Sequence, residues 1–321
     1  MDGWGDLRLF SGNANPALAK RIASELGIPL GRIHLTRFAD GEIRAMVEES
    51  ARGMDVFIVQ PTCAPVNDNL MEMLIMVDAF RRASARRITL VIPYYGYSRQ
   101  DKKIKPREPV TARLVADLIT SAGASRALAV DLHAGQIQGF FKMPLDHLYA
   151  GPMLADHFRE KGYVDSDVVV VSPDVGGVSR ARAFAEMLGA GIAIIVKRRP
   201  EPGKVEIMEI IGDVNDKRCI MIDDIIDTAN SIVFGAKALY ARGAASIAAT
   251  ATHAVLSGPA LARIQGSPIQ EVVLTDTIPI PLDKAIETTK LTTVSVAALL
   301  ANAIQRIHHD DSVSELFDRF W

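Results

Sequence analysis

This sequence has few cysteines and a small net charge. Its 321 residues include only two cysteines, Cys63 and Cys219, too few for a disulfide framework or a cysteine-rich zinc site. The formal net charge is −2, so electrostatics gives no support for binding to nucleic acid or to an anionic membrane. We therefore expect a cytoplasmic protein with no nucleic-acid partner and no membrane partner.

Long hydrophobic runs are also missing. No apolar run reaches the length of a membrane span, including the alanine-rich stretch Gly243–Val255. The N-terminal residues MDGWGDLRLF lack the basic region and apolar run of a signal peptide. Hydrophobic residues nevertheless make up 49% of the chain and charged residues 23%, a composition that supports a sizeable core and argues against global disorder.

Short apolar runs alternate with helical patterns along most of the chain, which is typical of parallel sheets covered by helices on both faces. Two such series meet near residue 148, where no Gly/Ser-rich linker occurs. We therefore predict the α/β class with two domains, residues 1–147 and residues 148–321. The last strand is predicted at Val294–Val296. The last helix, about Ala297–Ile307, is a candidate for packing back on the first domain.

Two pairs of runs depart from the parallel pattern. Ile33–Phe38 and Ile43–Val47 flank an Asp-Gly dipeptide, which predicts a hairpin. Val205–Ile211 is predicted to pair beside the strand Ile192–Val196 as a flap or edge strand.

The stretch Cys219–Ser231, CIMIDDIIDTANS, is the main candidate for a site. Four apolar residues predict a short buried strand, Asp223 and Asp224 follow it, and Asp-Thr-Ala-Asn-Ser opens a helical pattern. Ligands of parallel sheets bind beyond the carboxyl ends of strands, and the free N–H groups of a helix start suit a phosphate. The carboxylates suit sugar hydroxyls or a metal instead, so the stretch indicates a phosphorylated sugar. The alternative is a buried strand and a capped helix, with Asp227 or Thr228 as the cap.

Two further stretches of the second half follow predicted strands. Ser172–Arg180 carries two glycines at a helix entrance, which lower helix propensity and would allow close approach to a phosphate. A plain turn with Asp174 as a cap is the alternative. Lys197–Gly203, KRRPEPG, combines three cations with prolines and a glycine, and a closing loop of this kind could stabilise a transferred phosphoryl group. A solvated surface is the alternative.

The first half offers less specific candidates. Arg99 could pair with phosphates and Gln100 could hydrogen-bond a base or ribose. His133 follows the predicted strand Ala127–Val130 and could ligate a metal or contact a phosphate. A structural hydrogen-bonding histidine is the alternative, and the spacing does not specify a zinc site.

Together these stretches resemble one family, the ribose-phosphate pyrophosphokinases, also called phosphoribosyl pyrophosphate synthetases. The similar stretches run in order from end to end: LFSGNAN, FADGE, NDNLMEMLIM, YSRQDKK, DLHAGQIQGFF, SPDVGGVSRAR, KRRPEPG, IDDIIDTANS and SVSELF. DDxxDTxxS alone is shared with the wider phosphoribosyltransferase group, whereas the first-half motifs and SVSELF indicate the regulated, hexameric class. The resemblance implies two phosphoribosyltransferase-like domains, each a mostly parallel sheet with helices on both faces, plus a flap hairpin.

The resemblance also implies a reaction. ATP would donate its β,γ-diphosphoryl group to the C1 hydroxyl of ribose 5-phosphate, giving 5-phosphoribosyl 1-diphosphate and AMP for nucleotide biosynthesis. In-line attack on phosphorus mainly requires positioning and charge neutralisation. The resemblance implies Mg²⁺ as the cofactor, which would neutralise phosphate charge. No Ser/His/Asp or Cys/His arrangement for a covalent intermediate is evident in the sequence.

Site residues carry over from the matching motifs. The implied catalytic residues of the flap are Lys197 and Arg199. The implied metal-binding residues are His133 and Asp174. The implied ATP-binding residues are Phe38, Asp40, Gly41, Glu42, Arg99, Gln100 and Asp101. The implied ribose 5-phosphate-binding residues are Arg199, Asp223, Asp224, Asp227, Thr228, Ala229, Asn230 and Ser231.

The resemblance implies an assembly and its regulation as well. In related enzymes the FADGE segment reaches the ATP site of a neighbouring subunit, which implies a homohexamer with an ATP site shared between subunits. Phosphate and ADP are the implied effectors. The residues that match the regulatory region are Ser50, Arg52, Ser84, Ser312 and Ser314.

Two other functions compete with this one. A non-catalytic regulatory subunit of the same family would have lost flap cations or site carboxylates, yet Lys197, Arg199 and Asp223 are present. A phosphoribosyltransferase that uses the product would leave the first-half ATP motifs unexplained.

The chain also departs from the family pattern at one loop. The family commonly has Asp-Thr-Ala-Gly-Thr where this chain has Asp-Thr-Ala-Asn-Ser, ending in Asn230 and Ser231. Asparagine tolerates positive φ and serine keeps a hydroxyl. We therefore predict a working phosphate loop with altered affinity for ribose 5-phosphate.

Overall fold

Buried strands alternate with helices in each of two units, which confirms the α/β prediction. The computed structural model describes residues 5–198, 207–281, 286 and 288–316. The first unit comprises the described residues up to 149, together with 277–279 and 295–316. The second comprises residues from 150 to 276 and the described part of 280–294. No helix within the described ranges has the length and apolarity needed to cross a membrane.

The first unit is built on a parallel sheet and a separate hairpin. The hairpin pairs β2 (Ile33–Arg37) with β3 (Ile43–Val47) in antiparallel register, as its Asp-Gly turn predicts. The sheet has the order β1-β4-β5-β6-β7 with every neighbouring pair parallel. Its strands are β1 (Leu7–Ser11), β4 (Asp55–Val59), β5 (Arg87–Ile92), β6 (Arg126–Val130) and β7 (Leu145–Leu148). The sequence patterns did not predict β7, which is only four residues long.

Helices of the first unit begin and end at recognisable signals. The helices are α1 (Pro16–Leu26), α2 (Val66–Arg82), α3 (Thr111–Ala122) and α8 (Ala297–His308). At the start of α1, Asn15 accepts a hydrogen bond from the backbone N–H of Leu18 at 3.1 Å, and Pro16 occupies the first turn. On α2, the side chains of Met73, Met76, Val77 and Phe80 are fully buried. The last helix, α8, packs against α1.

The second unit is built on a longer sheet of the order β10-β9-β8-β11-β12-β13-β14. Only β10 runs antiparallel to its neighbour, which confirms the predicted edge strand. The strands are β8 (Val168–Ser172), β9 (Gly191–Arg198), β10 (Ile207–Ile211), β11 (Arg218–Ile226), β12 (Ser246–Ala254), β13 (Glu271–Thr275) and β14 (Leu291–Val294). The helices are α4 (Gly151–Glu160), α5 (Val178–Leu188), α6 (Asn230–Ala241) and α7 (Ala260–Gln265).

The last strand differs from its prediction. It was predicted at Val294–Val296 but lies at Leu291–Val294, where it pairs with β13. Val296 is fully buried because it lies at the start of α8, not because it belongs to a strand. An apolar run shared by a strand end and a helix start explains the error.

A buried ion pair ties the last helix to the first sheet. Arg87, at the start of β5, donates from Nε to Asp55 Oδ1 at 2.8 Å and from Nη2 to Asp55 Oδ2 at 2.5 Å. Nη2 also donates to the carbonyl oxygen of Ile307 in α8 at 2.9 Å. His308 Nδ1 lies 2.8 Å from Asp55 Oδ2. Since Asp55 is completely buried, these contacts replace the water that its carboxylate loses on folding.

Arg87→Met should lower the free energy of unfolding by about 3–5 kcal/mol, because it leaves a buried carboxylate without its cation. Arg82→Met is the matched control, since Arg82 forms an exposed pair with Asp78 and should change stability little. Urea unfolding of both variants measures the difference. An equal loss of unfolding free energy in the two variants would show that the buried pair contributes no more to stability than the exposed pair.

Candidate active site

The strand β11 extends further than predicted and carries both carboxylates. It was predicted to end at Ile222 but continues to Ile226, so Asp223 and Asp224 lie within the strand and not beyond it. The reason is the length of its neighbour: β12 pairs with β11 as far as Ala254, opposite Ile226. On its other side β11 pairs with β8 only as far as Met221. The carboxylates therefore project past the end of β8.

The turn after β11 and the start of α6 enclose a cavity of about 120 Å³. The residues that line this cavity are Asp223, Ile225, Ile226, Asp227, Thr228, Ala229, Asn230, Ser231 and Ile232. The structure thus brings together all the predicted ribose 5-phosphate residues of this stretch except Asp224. We call this cavity the α6 cavity.

The start of α6 differs from the alternative interpretation of this stretch, a helix capped by Asp227 or Thr228. Neither Asp227 nor Thr228 caps the helix; the residue before it is Ala229, with a left-handed backbone at φ 59° and no side-chain capping bond. Asn230 is the first residue of the helix. The positive φ falls on Ala229, so the ability of asparagine to adopt positive φ is not needed at position 230. Ala229 therefore supplies no side-chain cap to the first turn of α6, and N–H groups at a helix start are suited to an anion.

Neighbouring segments hold the backbone of this turn. The N–H of Leu256 donates to Ile226 at 3.0 Å, and the N–H of Ser257 donates to Asp227 at 3.0 Å. Arg263 of α7 donates from Nη1 to the carbonyl oxygen of Thr228 at 2.8 Å. Gly235 lets α6 approach β11 closely, since a Cβ there would lie 2.5 Å from Met221 Cε. A phosphate in the α6 cavity would therefore meet a preformed backbone.

The two carboxylates of β11 interact with each other and with Arg180. The backbone N–H of Asp224 donates to Asp223 Oδ1 at 2.8 Å. Arg180 Nη1 lies 3.2 Å from Asp223 Oδ1 and 3.3 Å from Asp224 Oδ1. Burial, together with hydrogen bonding and charge from Asp224, raises the pKa of Asp223 from 3.8 to about 7, although Arg180 opposes the shift.

The turn between β8 and α5 has a local reason for one of its two glycines, Gly177. Asp174 Oδ1 accepts a hydrogen bond from the N–H of Gly177 at 3.0 Å. Ser172 donates from Oγ to the carbonyl oxygen of Asp174 at 2.7 Å. A Cβ on Gly177 would lie 2.9 Å from Ser172 Oγ. The close approach to Ser172 thus explains why position 177 is a glycine. Asp174, a predicted metal-binding residue, uses one of its carboxylate oxygens for a hydrogen bond within the turn.

Four predicted ATP-binding residues of the first unit lie at the exposed tip of the hairpin. They are Phe38, Asp40, Gly41 and Glu42. Phe38 is 51% exposed, and the N–H of Glu42 donates to Asp40 Oδ1 at 3.1 Å. An exposed phenylalanine on a turn stabilised by its own backbone is suited to contact a ligand or another chain.

Two of the other predicted ATP-binding residues, Arg99 and Gln100, line a second cavity of about 290 Å³. Its lining residues are Val66, Asn67, Tyr94, Gly96, Tyr97, Arg99 and Gln100. Asp101 does not line this cavity. It is 8% exposed and accepts a hydrogen bond from Gln136 Nε2 at 2.6 Å, so it joins this loop to the loop that carries His133.

The predicted metal and flap residues are only partly described. His133 is exposed in the first unit and Asp174 lies in the second. Among the described residues, no three His, Cys, Asp or Glu side chains are grouped closely enough to hold a metal ion. The backbone of Lys197 belongs to β9, but its side chain, and Arg199 altogether, lie outside the described residues.

The predicted regulatory residues lie in three separate segments of the first unit. Ser50 and Arg52 are exposed before β4, and Ser84 follows α2 with φ 61°. Ser312 accepts at its carbonyl oxygen from Arg306 Nη1 at 2.7 Å, and its Oγ accepts from the N–H of Ser314 at 3.2 Å. A polar cavity of about 450 Å³ includes Ser312 and Arg306.

Sequence reasoning missed Arg180 and Gln136 as contributors to the site. Arg180 lies three residues after Gly177, one helical turn into α5, so helical spacing alone would have placed it near the turn. Gln136 belongs to a stretch noted only for His133. Its contact with Asp101 spans 35 residues of sequence, and no local pattern predicts such a contact.

Comparisons with known proteins agree along the whole chain. Residues 7–123 match the family described as the N-terminal domain of ribose phosphate pyrophosphokinase, and residues 196–318 match the phosphoribosyl synthetase-associated domain. A ribose-phosphate pyrophosphokinase of Caldanaerobacter subterraneus is 58% identical over 97% of this chain and 98% of its own length. That of Clostridium tetani is 57% identical over 97% of each chain. The crystal structure of phosphoribosylpyrophosphate synthetase from Mycobacterium smegmatis superposes with a TM-score of 0.90 and 45% identity, over 95% of this chain and 99% of that one.

Asp223→Asn should stabilise the protein more at pH 8 than at pH 5. The pKa of Asp223 is raised from 3.8 to about 7 in the folded protein, so folding favours the protonated carboxyl group. Its contribution to the free energy of unfolding is therefore full below about pH 4 and is lost as the pH rises to 7. Asparagine removes that loss and can donate to Asp224. We expect the Tm difference between variant and parent to grow by at least about 2 °C between the two pH values.

Thermal unfolding at both pH values measures this effect. Asp167→Asn, at an exposed position of the same unit, is the matched control and should give the same Tm difference at each pH. A Tm difference for Asp223→Asn that does not change with pH would contradict the raised pKa.

Proposed function

The chain belongs to the ribose-phosphate pyrophosphokinase family, and we propose that it transfers the β,γ-diphosphoryl group of ATP to the C1 hydroxyl of ribose 5-phosphate. The products are 5-phosphoribosyl 1-diphosphate and AMP, and the setting is nucleotide biosynthesis in the cytoplasm. The observation that carries the proposal is the α6 cavity, in which an uncapped helix start and a carboxylate share one small space. A phosphorylated sugar has the two kinds of group that such a cavity can bind.

Ribose 5-phosphate occupies the α6 cavity in this proposal. The 5-phosphate lies against the backbone N–H groups of the turn, from Asp227 to Ser231. The ribose hydroxyls donate to Asp223, with Asp224 behind it. Since Thr228 and Asn230 are exposed, their side chains can reach the phosphate as further donors.

ATP binds to the first unit in this proposal. Arg99 contacts the phosphates, and Gln100 contacts the base or ribose, at the cavity that both residues line. Asp101 holds their loop through Gln136. The hairpin tip with Phe38, Asp40, Gly41 and Glu42 contributes to the ATP site of a neighbouring subunit in a homohexamer. Its exposure supports such a role.

Magnesium is the proposed cofactor, and the donor set fits it only in part. Mg²⁺ prefers oxygen ligands and keeps several waters, which suits the carboxylates of Asp174, Asp223 and Asp224. One oxygen of Asp174 already accepts from Gly177, but a carboxylate can accept more than one bond. His133 offers nitrogen, a less favourable ligand for this ion. When bound, Mg²⁺ neutralises phosphate charge and orients the phosphates.

The chain's own residues supply positioning and charge in this proposal. The α6 cavity fixes the sugar so that its C1 hydroxyl faces the β-phosphorus, which gives most of the rate in a reaction of this type. Lys197 and Arg199 neutralise the negative charge that develops on the transferred group. The place of Lys197 at the end of β9 supports this role, because β9 neighbours β8 in the sheet.

Phosphate and ADP are the proposed effectors. Ser50, Arg52, Ser84, Ser312 and Ser314 provide hydroxyl groups and one guanidinium, which are suitable partners for phosphate oxygens. The polar cavity beside Ser312 supports an anion-binding role for that segment.

Incubation of the purified chain with ATP, ribose 5-phosphate and Mg²⁺ should release AMP in equal amount to 5-phosphoribosyl 1-diphosphate. A coupled assay for AMP measures the rate, and omission of ribose 5-phosphate is the control. Absence of turnover would favour a non-catalytic regulatory subunit. Pyrophosphate release that depends on a nucleobase would favour a phosphoribosyltransferase.

Lys197→Ala should lower kcat roughly 10²–10³-fold with little change in the KM for ATP, because a transition-state charge contact acts mainly on kcat. Steady-state kinetics measures both constants. Lys20→Ala, at an exposed position of α1, should leave them unaltered. An unchanged kcat in Lys197→Ala would remove this residue from the mechanism.

A further inference from the structure

Arg180 is the cation that joins the two carboxylates of β11. It lies in the first turn of α5, and its side chain is 23% exposed. A single nitrogen, Nη1, contacts one oxygen of Asp223 and one oxygen of Asp224. Arg180 is not among the site residues that the family resemblance implies.

The two carboxylates are in different surroundings. The side chain of Asp224 is 4% exposed and does not line the α6 cavity, whereas that of Asp223 is 30% exposed and does. Asp224 is therefore the buried anchor of Arg180, and Asp223 is the carboxylate available to a ligand. Two adjacent carboxylates repel each other unless a cation lies between them.

We propose that Arg180 is a positioning residue for the sugar: anchored on Asp224, it holds the carboxylate of Asp223 at the wall of the α6 cavity. There Asp223 accepts hydrogen bonds from the vicinal hydroxyls of ribose. This inference rests on the proposed function, because it takes ribose 5-phosphate as the occupant. Arg180 itself does not touch the substrate.

The proposal has a consequence for specificity. A site built to bond a hydroxyl discriminates against the analogue that lacks it, because its own polar group is then left unpaired. If Arg180 aims Asp223 at the hydroxyls, the preference for ribose 5-phosphate over 2-deoxyribose 5-phosphate depends on Arg180. A merely structural role would weaken binding of both sugars equally.

Calorimetric titration of each sugar phosphate into the parent, Arg180→Met and Arg180→Lys tests the proposal. Arg180→Met should bind ribose 5-phosphate about tenfold more weakly, the usual scale for a lost contact to a charged group. The preference of this variant for ribose 5-phosphate over 2-deoxyribose 5-phosphate should fall by a similar factor. Its KM for ATP, measured with the assay for AMP, should stay the same. Arg180→Lys restores the charge without the planar fork and should recover part of the affinity.

Arg182→Met is the matched control, since Arg182 lies on the same helix and pairs with Glu186 on an exposed face. It should leave both sugar affinities unchanged. Unchanged affinity in Arg180→Met, or equal losses for both sugars, would overturn the proposal. Binding is read independently of turnover: a parent that binds ribose 5-phosphate but releases no AMP contradicts the proposed reaction, not the role of Arg180.

Discussion

A parallel strand covered on both faces leaves no room for a ligand along its length. In this protein β4, β5 and β8 are buried at every position. Ligand binding is therefore expected near the places where strands end and helices begin. The candidate residues follow this constraint: Asp174 comes after β8 and Arg99 follows β5. The α6 cavity occupies the corresponding place after β11.

The carboxylates of β11 show how this constraint places charged groups at the candidate site. Because β12 extends beyond β8, β11 continues past Met221 with pairing on one side. Two acidic residues at that point are partly removed from water and lie beside each other, which opposes the ionisation of Asp223. Arg180 reduces this cost but does not abolish it. Such residual destabilisation is expected where residues are arranged for a ligand and not for stability.

The strands and helices were largely predictable from the sequence, whereas the contacts that shape the site were not. Burial sets the spacing at which apolar residues recur along the chain, so a strand such as β10 follows from a local pattern. The end of β11 depends on the length of β12, which lies elsewhere in the chain. The contact of Arg180 with Asp223 crosses 43 residues. The left-handed backbone at Ala229 was unexpected, because alanine rarely adopts that conformation and no glycine marks the turn.

That turn also explains why a change of side chain there need not abolish a phosphate site. The unusual backbone falls on Ala229, a residue this chain shares with the common family pattern, and Asn230 begins the helix. Hydrogen bonds from Leu256, Ser257 and Arg263 fix the surrounding carbonyl groups without using the side chains of Asn230 or Ser231. An anion at a helix start is bound mainly by backbone N–H groups and the helix dipole. The departure at Asn230 and Ser231 therefore changes side chains that line the α6 cavity but not the backbone contacts that frame the proposed phosphate site.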